Sequence, residues 1–310
     1  MPDRLLVFDA PGRGAKLAVC TAAELSREAA RRHSLAEGSA AALGQALAGT
    51  LLLTAADPRA PADARIDMQL ECTGPLRGAL TDADVRGSVR GLVRSRSLDR
   101  RGIRIDGPHA RTAGRFDPRP VLAAPFDEQA GMLSVLRAEP GSEALHRAAF
   151  PFAGADLGAA LTLYLRSDHE AGGEMALEVL FGEGEPLAAV AGALIWTEGE
   201  DDEVRALGKP LRQTVFREAV AREQEDAERL AVELASALDL GPLRLATEVR
   251  PRFACRCSQE RVVRALRALG RAELLDMAEK DAGAEATCDF CACSYRLSRD
   301  ELLALAAEPS

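Results

Sequence analysis

The sequence predicts an α+β protein in three consecutive parts. A mixed sheet-and-helix domain is expected over residues 1–199, a charged helical linker over 200–250 and a small cysteine-bearing module over 251–310. Three observations predict this. Period-two alternation is interleaved with helical stretches through the first 199 residues, as in α+β domains. From Glu200 to Arg250 there are 12 acidic and 8 basic residues and no strand-like alternation. Five of the seven cysteines fall between Cys255 and Cys293. A chain of 310 residues with 47% apolar side chains can bury a sizeable core and suits more than one domain.

"RLLVF" and "AKLAVC" flank the turn "APGRG" and predict an N-terminal hairpin. Thr21 and Glu24 then give a capping-box signature ahead of "LSREAARRH", so a helix is expected there. A second helix is expected over about 37–56, ending before Asp57-Pro58. In "ARIDMQLEC", Ile66, Met68, Leu70 and Cys72 alternate with polar residues and predict a strand with one buried face. "VRGSVRGLV" and "GIRID" are further strand candidates. Asp156 is placed to cap a helix over "LGAALTLYLRS". "EMALEVLFGEG" alternates through Met175, Leu177, Val179 and Phe181, and "PLAAVAGALIW" is a buried apolar segment.

"LRQTVFREAVAREQEDAERLAVELASAL" reads as helix with many charges and a thin apolar stripe. It suits a solvated helix packed by one edge, or a marginal linker able to dock and melt. Beyond Pro251, "SQERVVRALRALG" and "RAELLDMAEK" predict two short helices, the first closed by Gly270. "AEATCDFCACSYRLS" predicts a hairpin carrying cysteines, and Ser298 with Glu301 forms a capping box before "LLALAAE".

The net charge of −9 argues against general binding to nucleic acid or anionic membranes, both of which need a positive field. The N-terminus lacks a basic start and a sustained apolar run, so no secretory signal is read and a cytoplasmic protein is expected. The uncharged run Gly38–Ala56 is long enough to raise the membrane question, but its Ala, Gly, Ser and Thr content predicts a packed core helix. "GRGAK" lacks the spacing of a phosphate loop, so no nucleotide is expected. No arrangement of catalytic side chains stands out, and no enzyme is predicted. Asp201, Asp202 and Glu203 read as a solvated loop.

In a reducing compartment, paired cysteines point to metal or redox chemistry. Zinc takes four ligands in a tetrahedron, and thiolates suit it. Cys255 and Cys257 form one close pair, and Cys288 and Cys291 have the two-residue spacing of a zinc knuckle. Thirty residues lie between the pairs, enough for two short helices to bring the ends together. None of His33, His109, His146 and His169 lies in this segment, so one all-sulfur zinc per chain is expected. A structural zinc contributes on the order of 10 kcal/mol to folding, so a module this small should unfold without it. Four thiolates also stay open to oxidants.

"FACRCSQERVVRAL" followed by "LLDMAEKDAGAEATCDFCACSY" resembles the C-terminal signature of the 33 kDa chaperonin family, the redox-regulated heat-shock holdases of bacteria. "YLRSDHE", with Tyr164 and Ser167, and "AGALIW" are weaker echoes. The resemblance implies that 251–310 is a redox-switch domain. It implies an inactive, reduced, zinc-bound form. Oxidation would form Cys255–Cys257 and Cys288–Cys291 disulfides, release zinc and unfold the module and linker. The oxidised protein would form a homodimer and hold unfolded client proteins without ATP.

Cys293 is a possible extra thiol that the family pattern does not contain. Four ligands fill zinc, and Cys288 with Cys291 is the expected ligand pair, although Cys291 and Cys293 mimic the upstream pair. Cys293 is then either a surface thiol or a resolving thiol that speeds oxidation. Cys20 and Cys72 lie in strand candidates and are expected to be inert core thiols. Arg261, Arg264, Arg267 and Arg271 read as a solvated helix face, because 251–310 holds 9 basic and 10 acidic residues. The competing functional class is a zinc-ribbon adaptor or nucleic-acid-binding protein with a purely structural metal.

Overall fold

The chain opens with a strand that finds its partner through a tight turn. In the computed structural model, which describes residues 1–56, 61, 63–99, 103–104, 114–124, 129–138, 145–153, 156–168, 172–182, 186–197, 201–224, 226–280 and 283–308, β1 (Leu5–Ala10) and β2 (Ala15–Thr21) form the expected antiparallel hairpin. Gly14 takes the left-handed conformation in its turn (φ 57°). Helix α1 (Ala23–His33) follows, but its N-terminus is not capped by Thr21. Thr21 is the last residue of β2, and its hydroxyl receives the Arg4 amide (3.0 Å). Asp3 caps the helix instead, its carboxylate accepting the amides of Glu24 (3.1 Å) and Leu25 (2.7 Å).

Helix α2 (Glu37–Ala55) is buried at every residue from Gly38 to Thr54. It packs on strands of both large sheets, which is why it is apolar on all sides. It is long and apolar enough to cross a membrane, and it lies wholly inside the fold. Gly49 allows a close approach, since a Cβ there would stand 2.7 Å from Leu161 Cδ1.

The next elements are β3 (Arg65–Cys72), β4 (Gly78–Asp84), β5 (Ser88–Val93), β6 (Ile103–Arg104), β7 (Gly114–Phe116), α3 (Arg119–Leu122), β8 (Gln129–Ala138), β9 (Leu145–Ala153) and α4 (Leu157–Asp168). Ile66, Met68 and Leu70 share the buried face predicted for β3, and Cys72 is only half-buried. Asp156 caps α4 through the Ala159 amide (3.2 Å). Strands β4, β8 and β9 were not legible in the sequence. Strands β10 (Gly173–Phe181) and β11 (Ala189–Thr197) then pair antiparallel. The alternation in β10 marks one buried face, yet its other face is buried as well.

That second face lies under a helical layer made by the charged stretch. It comprises α5 (Asp201–Pro210), a π-helical turn over Leu211–Val215, α6 (Phe216–Glu223) and α7 (Ala227–Ala237). The backbone of Asp201, Asp202 and Glu203 opens α5 and is not a loop. Pro210 lacks an amide hydrogen, and the π turn follows directly on it. Leu211, Phe216, Val220, Leu230 and Leu234 of this layer pack on Leu6, Leu17, Val19, Ala193 and Ile195 of the sheet, while Val232 is exposed.

Residues 200–250 are not helical to their end. The chain returns as β12 (Arg244–Val249), antiparallel to β1 at the edge of the seven-stranded sheet β12-β1-β2-β11-β10-β7-β6. The short β13 (Arg252–Phe253) pairs parallel with β5 in the six-stranded sheet β13-β5-β4-β3-β8-β9. Met1–Ala254 forms one compact unit and Cys255–Ser310 another. The second holds α8 (Gln259–Arg267), α9 (Arg271–Lys280), the hairpin of β14 (Gly283–Thr287) and β15 (Ser294–Ser298), and α10 (Arg299–Ala307). Ser298 and Glu301 form the predicted capping box. The core of this unit is small: Leu266, Leu274, Ala278, Leu297, Leu302, Leu305 and Ala306.

Candidate metal centre

Two local structures bring the cysteines together. Cys255 and Cys257 lie in the non-helical segment before α8, whose N-terminus is fixed by Ser258 accepting the Arg261 amide (3.3 Å). Cys288 and Cys291 lie in the turn of the β14–β15 hairpin. The Thr287–Ser294 pair closes the ladder, with their hydroxyls 2.9 Å apart. Inside the turn, the Cys288 amide donates to the Cys293 carbonyl (2.9 Å). The amides of Cys291 (3.3 Å) and Ala292 (2.8 Å) donate to the Cys288 carbonyl. Ala292 is left-handed (φ 56°), which lets the chain curl around one point.

The sulfurs of Cys255, Cys257, Cys288 and Cys291 all lie within 4.8 Å of one another. Cys255 and Cys288 are 3.7 Å apart, and Cys257 and Cys291 are 3.3 Å apart. A tetrahedral ion with ligand bonds of about 2.3 Å needs sulfur–sulfur edges of about 3.8 Å. The set therefore fits a single metal ion. The sulfur contacts run across the two sequence pairs, Cys255 with Cys288 and Cys257 with Cys291, and within one of them, Cys288 with Cys291.

The surroundings also suit a cation. Cys291 is buried, and Cys255, Cys257 and Cys288 are half-buried. Burial, the largest effect, pushes the Cys288 and Cys291 thiols up, so thiolates here need a positive partner. Some donors are already in place. The Phe290 amide faces the Cys288 sulfur and the Cys293 amide faces the Cys291 sulfur. The Tyr295 hydroxyl donates to Cys257 (3.0 Å), a bond that raises the phenol's own pKa. The sequence contained a signal for Tyr295, its place shortly after the second pair, but gave no role for it.

Cys293 is exposed and lies outside the set of four. Cys20 is buried and its thiol is raised by burial, and Cys72 is pushed up to about 11 by the same cause. His33 stacks edge-on to Phe253 in the first unit, His146 lies in β9, and His109 and His169 fall outside the described residues. Arg261, Arg264, Arg267 and Arg271 are exposed, and Arg267 pairs with Glu308.

The family model described as Hsp33 protein matches residues 3–298. The 33 kDa chaperonin of Acaryochloris marina is 32% identical over 304 residues, covering 97% of this chain and 96% of that protein. The 33 kDa chaperonin of Nostoc punctiforme is 32% identical over 310 residues, covering 99% and 97%. The crystal structure of the 33 kDa chaperonin from Thermotoga maritima has the same fold, with a TM-score of 0.78 at 21% identity, covering 99% of this chain and 98% of that one.

Proposed function

The chain belongs to the Hsp33 protein family and is a chaperone of that family, and from this premise we propose that it is an ATP-independent holdase switched on by oxidation. The observation that carries the reading is the four-sulfur cluster in a unit with so small a core.

Cys255, Cys257, Cys288 and Cys291 would hold one zinc per chain in the reduced state. Bound zinc supplies no redox chemistry of its own; it gathers four thiolates and ties the chain ends together. Peroxide or hypochlorite then takes two electrons from each sequence pair. By resemblance to the family, the products are Cys255–Cys257 and Cys288–Cys291 disulfides. Sulfurs tied in disulfides no longer serve as ligands, so the module loses its cross-link and unfolds.

Unfolding extends to the helical layer over 201–237 and uncovers the sheet face of Leu6, Leu17, Val19, Ala193 and Ile195. Unfolded clients bind such apolar surface, and oxidised chains associate as homodimers. The reading assigns no catalysis, nucleotide, nucleic acid or membrane, and a cytoplasmic location where thiols stay reduced. The family match runs through both units, which favours a chaperone over a zinc-ribbon adaptor.

The test is light scattering from an aggregating client, with the protein zinc-loaded and reduced in one sample and peroxide-oxidised at mild heat in the other. Suppression only after oxidation is the expected result. Suppression in neither state leaves a structural metal site.

A further inference from the structure

We propose that Cys293 is the thiol through which peroxide reaches the cluster, closing a Cys291–Cys293 disulfide before the other cysteines react. This rests on the redox reading above and adds a fifth sulfur to it. The Cys291–Cys293 bond forms first. The Cys288 thiolate then attacks the Cys291 sulfur and expels the Cys293 thiolate, giving the Cys288–Cys291 disulfide of that reading. Cys293 is exposed, whereas Cys291 is buried and the other three cluster cysteines are half-buried. The four mutually close sulfurs already complete a tetrahedral ligand set, so Cys293 has no place in it. Yet the turn holds it beside one of the four. Its carbonyl receives the Cys288 amide (2.9 Å), and its amide and thiol both lie within hydrogen-bonding reach of the Cys291 sulfur.

Exposure and thiolate access govern where oxidants attack, and adjacency makes the second step intramolecular. The Cys293 thiolate attacks peroxide. An S–O bond forms, the O–O bond breaks, and the departing hydroxide takes up the thiol proton as water. The Cys291 sulfur then attacks the Cys293 sulfenic sulfur. The S–S bond forms, the S–O bond breaks, and the departing hydroxide takes a proton from solvent as the second water. The two sulfurs lose two electrons in all, and one peroxide becomes two waters. The cluster is left with three sulfurs, a set that no longer fills a tetrahedral ion.

The experiment uses the full zinc-loaded chain and its Cys293→Ser and Cys293→Ala variants. Dilute hydrogen peroxide is added, zinc release is followed with a chromophoric chelator, and aliquots are alkylated. Cleavage on the amino side of aspartate separates Cys288, in 281–288, from Cys291 and Cys293, in 289–299. The expected first product is the 289–299 peptide lighter by two hydrogens and unalkylated. Both variants should release zinc about threefold or more slowly. A first product linking 281–288 to 289–299, a Cys255–Cys257 disulfide formed first with Cys293 alkylated, or variants that react at the wild-type rate would each overturn the proposal. Wild type that keeps its zinc under peroxide overturns the redox reading, while the 289–299 peptide still decides the part played by Cys293.

Discussion

Two side chains around the cluster make separable contributions. Tyr295 donates to Cys257 at 3.0 Å, and partners of this kind orient metal ligands and hold their charge. Tyr295→Phe removes the donor and little else. It should weaken metal retention about tenfold, read as faster loss to a competing chelator. Ala292 acts through the backbone. Its left-handed conformation costs about 1–2 kcal/mol for a residue with a Cβ. Glycine removes that cost but returns about 0.4–1 kcal/mol of unfolded-chain entropy. Ala292→Gly should therefore stabilise the metal-loaded module by about 0.5 kcal/mol. A melting curve of the holo protein that moves down would refute the assignment of strain to this turn.

At the scale of elements, the helical layer is held to the sheet by charge as well as by apolar packing. Glu174 and Glu178 stand on the covered face of β10 and are buried. Glu174 pairs with Arg166 of α4 and with Arg212 of the π turn (2.5 Å). Glu178 pairs with Arg115 (3.1 Å) and Arg217 (3.8 Å), while burial pushes its carboxyl pKa up. Gly208 lets α5 lie directly on Glu174, because a Cβ there would overlap the Glu174 side chain. Breaking a fully buried pair costs about 3–5 kcal/mol, and the part-exposed Arg212 and the remaining Arg166 partner reduce this. Arg212→Met should loosen the layer by about 1–2 kcal/mol. Hydrogen exchange should rise in 201–223 and stay unchanged in 271–308. The Arg212–Glu174 and Arg217–Glu178 pairs were not legible in the sequence, nor was the Asp3 cap on α1, because the partners lie 38 and 39 residues apart in the pairs and 21 and 22 residues away for Asp3. β12 was hidden for a related reason: both its faces are largely exposed, so it shows no alternation. The cysteine cluster was legible because metal chemistry restricts it to few residue types at short spacings, and α2 because its uncharged run is unbroken from Gly38 to Ala56.

At the scale of the whole molecule, the two units differ in what holds them together. Met1–Ala254 builds its core around α2 and two large sheets, with dozens of buried apolar side chains. The core cluster of Cys255–Ser310 has seven among the described residues, all of them Leu or Ala, beside a two-stranded sheet. A unit of this size rarely folds without a staple, and a structural metal contributes on the order of 10 kcal/mol. The buried leucines, at about 1.5–3 kcal/mol each, give a gross gain of the same order, and the entropy of ordering the unit's backbone outweighs it. The metal therefore decides whether the second unit is folded, and it has little leverage on the first. Stripping it with a strong chelator under reducing conditions should abolish hydrogen-exchange protection in α8, α9 and α10. Protection in α2, β10 and β11 should be retained. Readdition of zinc should restore the lost protection without any change in thiol count. Persistent protection of α9 and α10 in the metal-free chain would mean that the seven-residue core suffices, and an oxidation switch built on the loss of four sulfur ligands would then have no unfolding step to drive.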